Sequence, residues 1–101
     1  MKIPFDKLDK AFENRLRLQI MSVLVANERY DFNSLKDLLD ITDGNLASHL
    51  KGLEKEEYIL VNKSFLGRKP NTTYQATEKG RKAFMDHLDA LEKLIKQQKL
   101  K

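Results

Sequence analysis

Apolar residues recur at helical spacing from the start of the chain. Phe5, Leu8 and Phe12 stand at i, i+3 and i+7, and Leu16, Ile20, Val23 and Leu24 carry the stripe on to Ala26. Pro4 suits a first helical turn, where its missing amide has no partner to lose. Asn14 either divides this run into a short leading helix and a main one or sits exposed in mid-helix. Tyr30-Asp31-Phe32 reads as a short extended link, and Asn33 as the N-cap of a two-turn helix carrying Leu35, Leu38 and Leu39. Thr42 can cap a third helix, about 42–56, whose buried stripe is Leu46, Leu50 and Leu53. Asn45, Ser48, His49, Lys51 and Gly52 are then left facing outward.

At Tyr58 the period changes from helical to two. Ile59, Val61, Lys63 and Phe65 share one face of a strand, and Leu60, Asn62 and Ser64 share the other. Gly67-Arg68-Lys69-Pro70-Asn71 is turn chemistry with two cations at its tip, and Thr72 to Ala76 return as a second strand. Thr77 caps a last helix over residues 78–98, about 30 Å long at about 1.5 Å per residue, with Phe84, Leu88, Leu91 and Ile95 in register. Two short helices joined by a tight turn, the second with a narrow apolar stripe and a small polar outer face, meet the requirements of a helix-turn-helix.

The chain has 101 residues, 41% of them apolar and 34% charged, which suits one domain whose elements each keep a wet face. Its net charge of +4 is small but segregated. Residues 31–57 hold seven acids against three bases, whereas residues 63–82 hold six bases against Glu78 alone. No cysteine is present and His49 and His87 are far apart, so neither a thiolate site nor a metal-ligating cluster is expected, and no cofactor. Carboxylate pairs in an apolar setting, a phosphate-cradling glycine loop and triad candidates are all missing, so an enzyme is not expected. No apolar run approaches the roughly 20 residues of a membrane span, and the first turns lack a signal peptide's apolar block, so a cytoplasmic location is expected.

The order helix, helix, helix, hairpin with a basic tip, long helix is that of a winged helix. The chain resembles the short stand-alone winged-helix transcriptional regulators of bacteria and archaea related to the MarR and ArsR groups. The resemblance is carried by Arg15-Leu16-Arg17-Leu18-Gln19-Ile20-Met21, Leu38-Leu39-Asp40-Ile41-Thr42-Asp43-Gly44-Asn45-Leu46, Leu50-Lys51-Gly52-Leu53-Glu54, Tyr58-Ile59, Gly67-Arg68-Lys69-Pro70 and Thr77-Glu78-Lys79-Gly80-Arg81. It implies a mainly α fold with a small β-hairpin, in which a three-helix core, a β wing and a long C-terminal helix form one domain over residues 1–101. It also implies a homodimer bound to double-stranded DNA, the third helix in the major groove, the wing at 67–71 on the backbone or in the minor groove, and the terminal helices in the dimer.

On chemistry, Asn45, Ser48 and His49 are candidate base readers, because Asn can pair bidentately with adenine while Ser and His can bond several base edges. Thr42 and Gly44 lie at a helix N-terminus, where free amides can hold a phosphate. Asp43 stands against that, as a carboxylate where phosphates should lie. Arg68 and Lys69, with few acids nearby, are the leading backbone contacts. Ser34, Lys51, Lys63, Asn71 and Thr72 complete the expected DNA-facing set. Phe5, Leu8, Phe12, Phe84, Leu88, Leu91 and Ile95, on the terminal segments 1–13 and 84–98, are the expected dimer seam. The competing expectation is a protein-interaction module without DNA binding, for which the acidic stretch 31–57 is the argument. Neither the operator, nor an effector ligand, nor repression as against activation can be read from these residues.

Overall fold

The computed structural model describes residues 8–98. A single 3-10 turn, Lys10–Phe12, leads into α1 (Arg15–Ala26), β1 (Tyr30–Asp31), α2 (Phe32–Leu39), α3 (Asp43–Lys55), β2 (Ile59–Leu66), β3 (Lys69–Ala76) and α4 (Glu78–Gln98). Asn14 proves to be a boundary: its side chain accepts from the amides of Leu16 and Arg17 and so caps α1. Of the leading segment, the described part from residue 8 holds a short turn capped by Asp9, and Phe5 of the expected seam lies outside the described residues.

The sheet has three antiparallel strands in the order β1-β3-β2. The expected extended link at 30–32 is therefore part strand, with Tyr30 opposite Tyr74 and Asp31 opposite Thr73. Phe32 already belongs to α2, whose N-cap is Asp31 and not Asn33. The Asp31 carboxylate accepts both the Ser34 amide (3.1 Å) and the Ser34 hydroxyl (2.6 Å), whereas Asn33 points outward. β2 and β3 pair from Ile59↔Ala76 out to Leu66↔Lys69, so the turn is the two residues Gly67-Arg68 and not the five residues 67–71. Gly67 takes φ +65, which glycine adopts without a Cβ penalty and which suits a tight hairpin.

The core is one cluster. Ile20, Met21 and Leu24 of α1, Leu35 of α2, the stripe Leu46, Leu50 and Leu53 of α3, Ile59 and Tyr74 of the sheet and Phe84 of α4 all lie in it. Asp40, at φ 51, ends α2 in the left-handed conformation that Asp tolerates, and Thr42 then caps α3 by accepting from the Asn45 amide. The two helices are thus joined by a three-residue turn. Lys36 on α2 bonds the Asp43 carboxylate on α3 at 2.8 Å across it.

Tyr58 knits the remaining elements together. Its amide donates to Leu53 at the end of α3, and its carbonyl accepts the Thr77 amide at the start of α4. Its hydroxyl donates to Asp9, and its ring stacks on Phe12 with centroids 5.5 Å apart. Burial, reinforced by the Asp9 carboxylate, pushes the phenol well above its ordinary pKa of 10. Phe12 also meets Phe84 edge-on at 5.7 Å and His87 at 5.4 Å. Phe12 and Phe84 are therefore buried inside the chain's own core, which corrects their placement in a dimer seam.

α4 begins where predicted because Thr77 caps it, its hydroxyl accepting the Gly80 amide at 2.9 Å. Gly80 is required by contact rather than by φ: a Cβ there would stand 2.9 Å from the Tyr58 carbonyl carbon and closer still to its oxygen. Because the obstacle is backbone, it cannot rotate away. Gly80→Ala should cost about 1 to 3 kcal/mol, seen as a lower urea midpoint at unchanged slope. A midpoint at or above the wild-type value would show that α4 does not press on Tyr58.

Candidate nucleic-acid interface

The three leucines of α3 occupy one narrow stripe, so the opposite face of that helix is left to solvent. At about 100° per residue, Gly44, Ser48, Lys51 and Lys55 point directly away from the stripe, and all four are exposed. Lys55 was not among the expected contacts, although the spacing 44, 48, 51, 55 marks it. Asn45, His49 and Gly52, at i, i+4 and i+7, form the edge between the outer face and the buried stripe. Asn45 is exposed on that edge; His49 and Gly52 are partly covered.

What covers them is α1. The Arg17 Nε donates to His49 Nδ1 at 3.3 Å, and the Arg17 guanidinium lies over Gly52. His49 is thus turned toward a neighbouring helix and is not a free outward reader, which corrects the expected outward placement of His49 and Gly52. The error arose because helical spacing shows which edge a residue occupies but not which neighbour reaches across it. Partial burial first, and the Arg17 charge second, hold the imidazole below its ordinary pKa of 6.5. Asp43, the one carboxylate at the start of α3, is answered by Lys36. Ser34 spends its hydroxyl on Asp31, whose carboxyl is thereby held below the usual carboxylate range.

The wing is the basic element. From Tyr58 to Thr77 the sequence contains no Asp or Glu. Lys63, Arg68 and Lys69 are exposed there, and none of them has an ion-pair partner among the described residues. The other cations of the 63–82 run are engaged elsewhere: Lys79 with Glu57 at 3.7 Å, Lys82 with Asp86 at 2.8 Å, and Arg81 with the Val25 carbonyl at the end of α1. The segregated charge of the sequence thus narrows to the hairpin. Its far end also carries Phe65 and Leu66, 71% and 69% exposed, which strand alternation alone did not mark as uncovered. Asn71 and Thr72, half-buried on β3, line clefts between the wing and the start of α2. Thr42 and Gly44 stay exposed at the α2–α3 turn.

On the far side, α4 carries a second apolar edge. Leu88 and Ile95 are exposed together with Met85, while Leu8, Leu91 and Leu94 are half-buried. His87 faces inward, its Nδ1 accepting the Asp9 amide at 3.0 Å. No group that could hold a metal ion is found among the described residues, and no described helix is long and apolar enough to cross a membrane.

Three helices, a β-hairpin wing and a long closing helix, with an outward α3 beside a basic hairpin, define a winged helix. The chain belongs to the winged helix DNA-binding domain family, whose model matches residues 16–95. It is 37% identical over 87 residues to an uncharacterized protein of Methanocaldococcus jannaschii, covering 86% of this chain and 95% of that one. Among solved structures, the transcriptional regulator homologue from Pyrococcus horikoshii OT3 superposes with a TM-score of 0.82 at 30% identity, over 89% of each chain. The S. aureus MepR–DNA complex superposes at 0.71 and 17% identity, over 94% of this chain and 81% of that one, a likeness of fold. The resemblance to MarR-type regulators therefore holds at the level of architecture.

His49 gives the folding stability a pH dependence whose sign is fixed. Its pKa is depressed in the folded chain, so as pH falls the unfolded chain takes up the proton first. The contribution is complete above about pH 6.5 and is lost as pH drops from there toward the lower folded value. His49→Gln should flatten this part of the stability curve in urea melts between about pH 5 and 8. An identical pH profile for the variant would show that His49 senses no burial or Arg17 charge.

Proposed function

We propose that the chain is a sequence-specific DNA-binding regulator of transcription that works as a homodimer, with α3 in the major groove and the wing tip on the phosphate backbone or in the minor groove. The observation that carries this is the acid-free hairpin, with three cations that have no ion-pair partner among the described residues, set beside a helix whose outermost face, Gly44, Ser48, Lys51 and Lys55, is small, polar and basic. Such a pair of surfaces suits a polyanion with a groove wide enough for a helix. Ser48 and Asn45 are the base readers in this reading, with Gly44 allowing close approach and Lys51 and Lys55 on phosphates. Thr42 closes the helix end, and Lys63, Arg68 and Lys69 hold the backbone. The pairing of Lys36 with Asp43 offsets part of the carboxylate's charge at the start of α3. The regulator homologue from Pyrococcus horikoshii and the DNA-bound MepR support the reading as neighbours.

The homodimer rests on the uncovered edge Met85, Leu88 and Ile95, with half-buried Leu91 beside it. A two-fold axis along α4 would bury that edge and present two copies of α3 on one side of a duplex. Half-sites would then lie about 10 base pairs apart, or a multiple of that, as an inverted repeat.

Two measurements test this. Each lost phosphate contact lowers the slope of log K against log salt by about 0.9, so Arg68→Ala with Lys69→Ala should flatten it by about 1 to 2 units on every duplex. A wild-type slope in that variant would remove the wing from the interface. Leu88→Asp with Ile95→Asp places unpaired charge in the proposed seam and should give a folded monomer by sedimentation, with most affinity for a two-half-site duplex lost. A wild type that sediments as a monomer at micromolar concentration, and a variant that binds equally well, would overturn the dimer.

A further inference from the structure

α3 carries no arginine, the side chain best suited to bidentate phosphate and guanine contacts, yet one lies against it. Arg17 comes from the first turns of α1, and its guanidinium is laid across Gly52 so closely that a Cβ at 52 would stand 2.6 Å from its Cζ. Gly52 is in the middle of a 13-residue helix and is not a positive-φ residue, so the backbone does not ask for glycine there. A mid-helix glycine destabilises a helix relative to alanine. What its missing Cβ provides is a seat for the guanidinium.

Among the described residues, none neutralises the charge in that seat. The only hydrogen-bond partner of Arg17's side chain among the described residues is His49 Nδ1, a neutral acceptor, and no described carboxylate lies within 4 Å of it. The bond to His49 uses the Nε hydrogen alone. The four N–H groups on the two terminal nitrogens are left over, in the fork geometry that matches two oxygens of one phosphate. The place is also apt, since Asn45, His49 and Gly52 share the edge of α3 on which the guanidinium sits.

We propose that Arg17 is a DNA-backbone ligand lent by α1 to the recognition helix: seated over Gly52 and steered by His49, it takes a phosphodiester phosphate on one wall of the groove that α3 enters. This rests on the reading of α3 as the groove-binding helix. Gly52 and His49 are positioning residues in it, the first by leaving room and the second by fixing the direction of the fork. A lysine at 17 would keep the charge but lose both the Nε bond and the paired donors.

The test uses the full chain and a short duplex recovered by selection from random sequence, with binding followed by fluorescence anisotropy over a range of salt. Arg17→Ala should lower the salt slope by about 0.9. Gly52→Ala should lower it by a similar amount, because the methyl group displaces a flexible guanidinium rather than backbone, while its thermal midpoint stays the same or rises as alanine replaces glycine in a helix. Better folding with poorer binding is a combination that a merely structural role for Gly52 does not give. The double variant should lose no more than Arg17→Ala alone. Replacing phosphates one at a time by neutral methylphosphonates should reveal one position that weakens wild type and leaves Arg17→Ala unaffected. If both single variants keep the wild-type slope while the Arg68 and Lys69 double variant loses it, the inference falls and the DNA reading stands. If wild type itself shows no salt-dependent binding to the duplex, both fall together.

Discussion

α3, the wing and α4 all meet at Tyr58. Four parts of it each hold a different neighbour: the amide the end of α3 at Leu53, the carbonyl the start of α4 at Thr77, the hydroxyl Asp9 and the ring Phe12 of the leading turn. Glu57 just before it is held at φ 64, a conformation a non-glycine residue adopts only under local constraint. The turn out of α3 is therefore sharp, and the strand leaves in a set direction. A hairpin projecting eight residues per strand needs such a base, because a small error in angle there is magnified at Arg68 and Lys69.

The pattern of the sequence carried most of the architecture, and the places where it misled have a common cause. α4 was legible because Thr77 is a good cap and twenty-one residues give the 3.6 period room to show. The stripe Leu46, Leu50 and Leu53 was legible for the same reason. β1 was not, since two residues have no period and their pairing with β3 is decided forty residues away. Asp31 displaced Asn33 as a cap because a strand ends there, which again is a tertiary fact. Phe12 and Phe84 look the same in sequence as Leu88 and Ile95, and only the packing of Phe12 against Tyr58, Phe84 and His87 separates core from surface.

The candidate site shows the same division. The wing cations were legible from composition, because an acid-free stretch cannot form local ion pairs. The sharing of α3's edge between Asn45, which stays open, and His49, which is covered, depends on Arg17 thirty-two residues before it and could not be read from spacing. Lys55, by contrast, was within reach of the helical period and belongs with Ser48 and Lys51 on the outer face.

The hairpin has a further property that concerns the protein when no DNA is near. β2 is an outer strand, and β1 covers β3 only at Thr73 and Tyr74, so the distal halves of both wing strands have open backbone edges. With Phe65 and Leu66 uncovered beside them, two wings meeting edge to edge could extend each other's sheet, the usual first step toward insoluble assemblies. Lys63, Arg68 and Lys69 repel a second wing, and Pro70 offers it no amide. The cations therefore act as gatekeepers of solubility, whatever else they bind, and a wing stripped of them would be prone to stack upon itself.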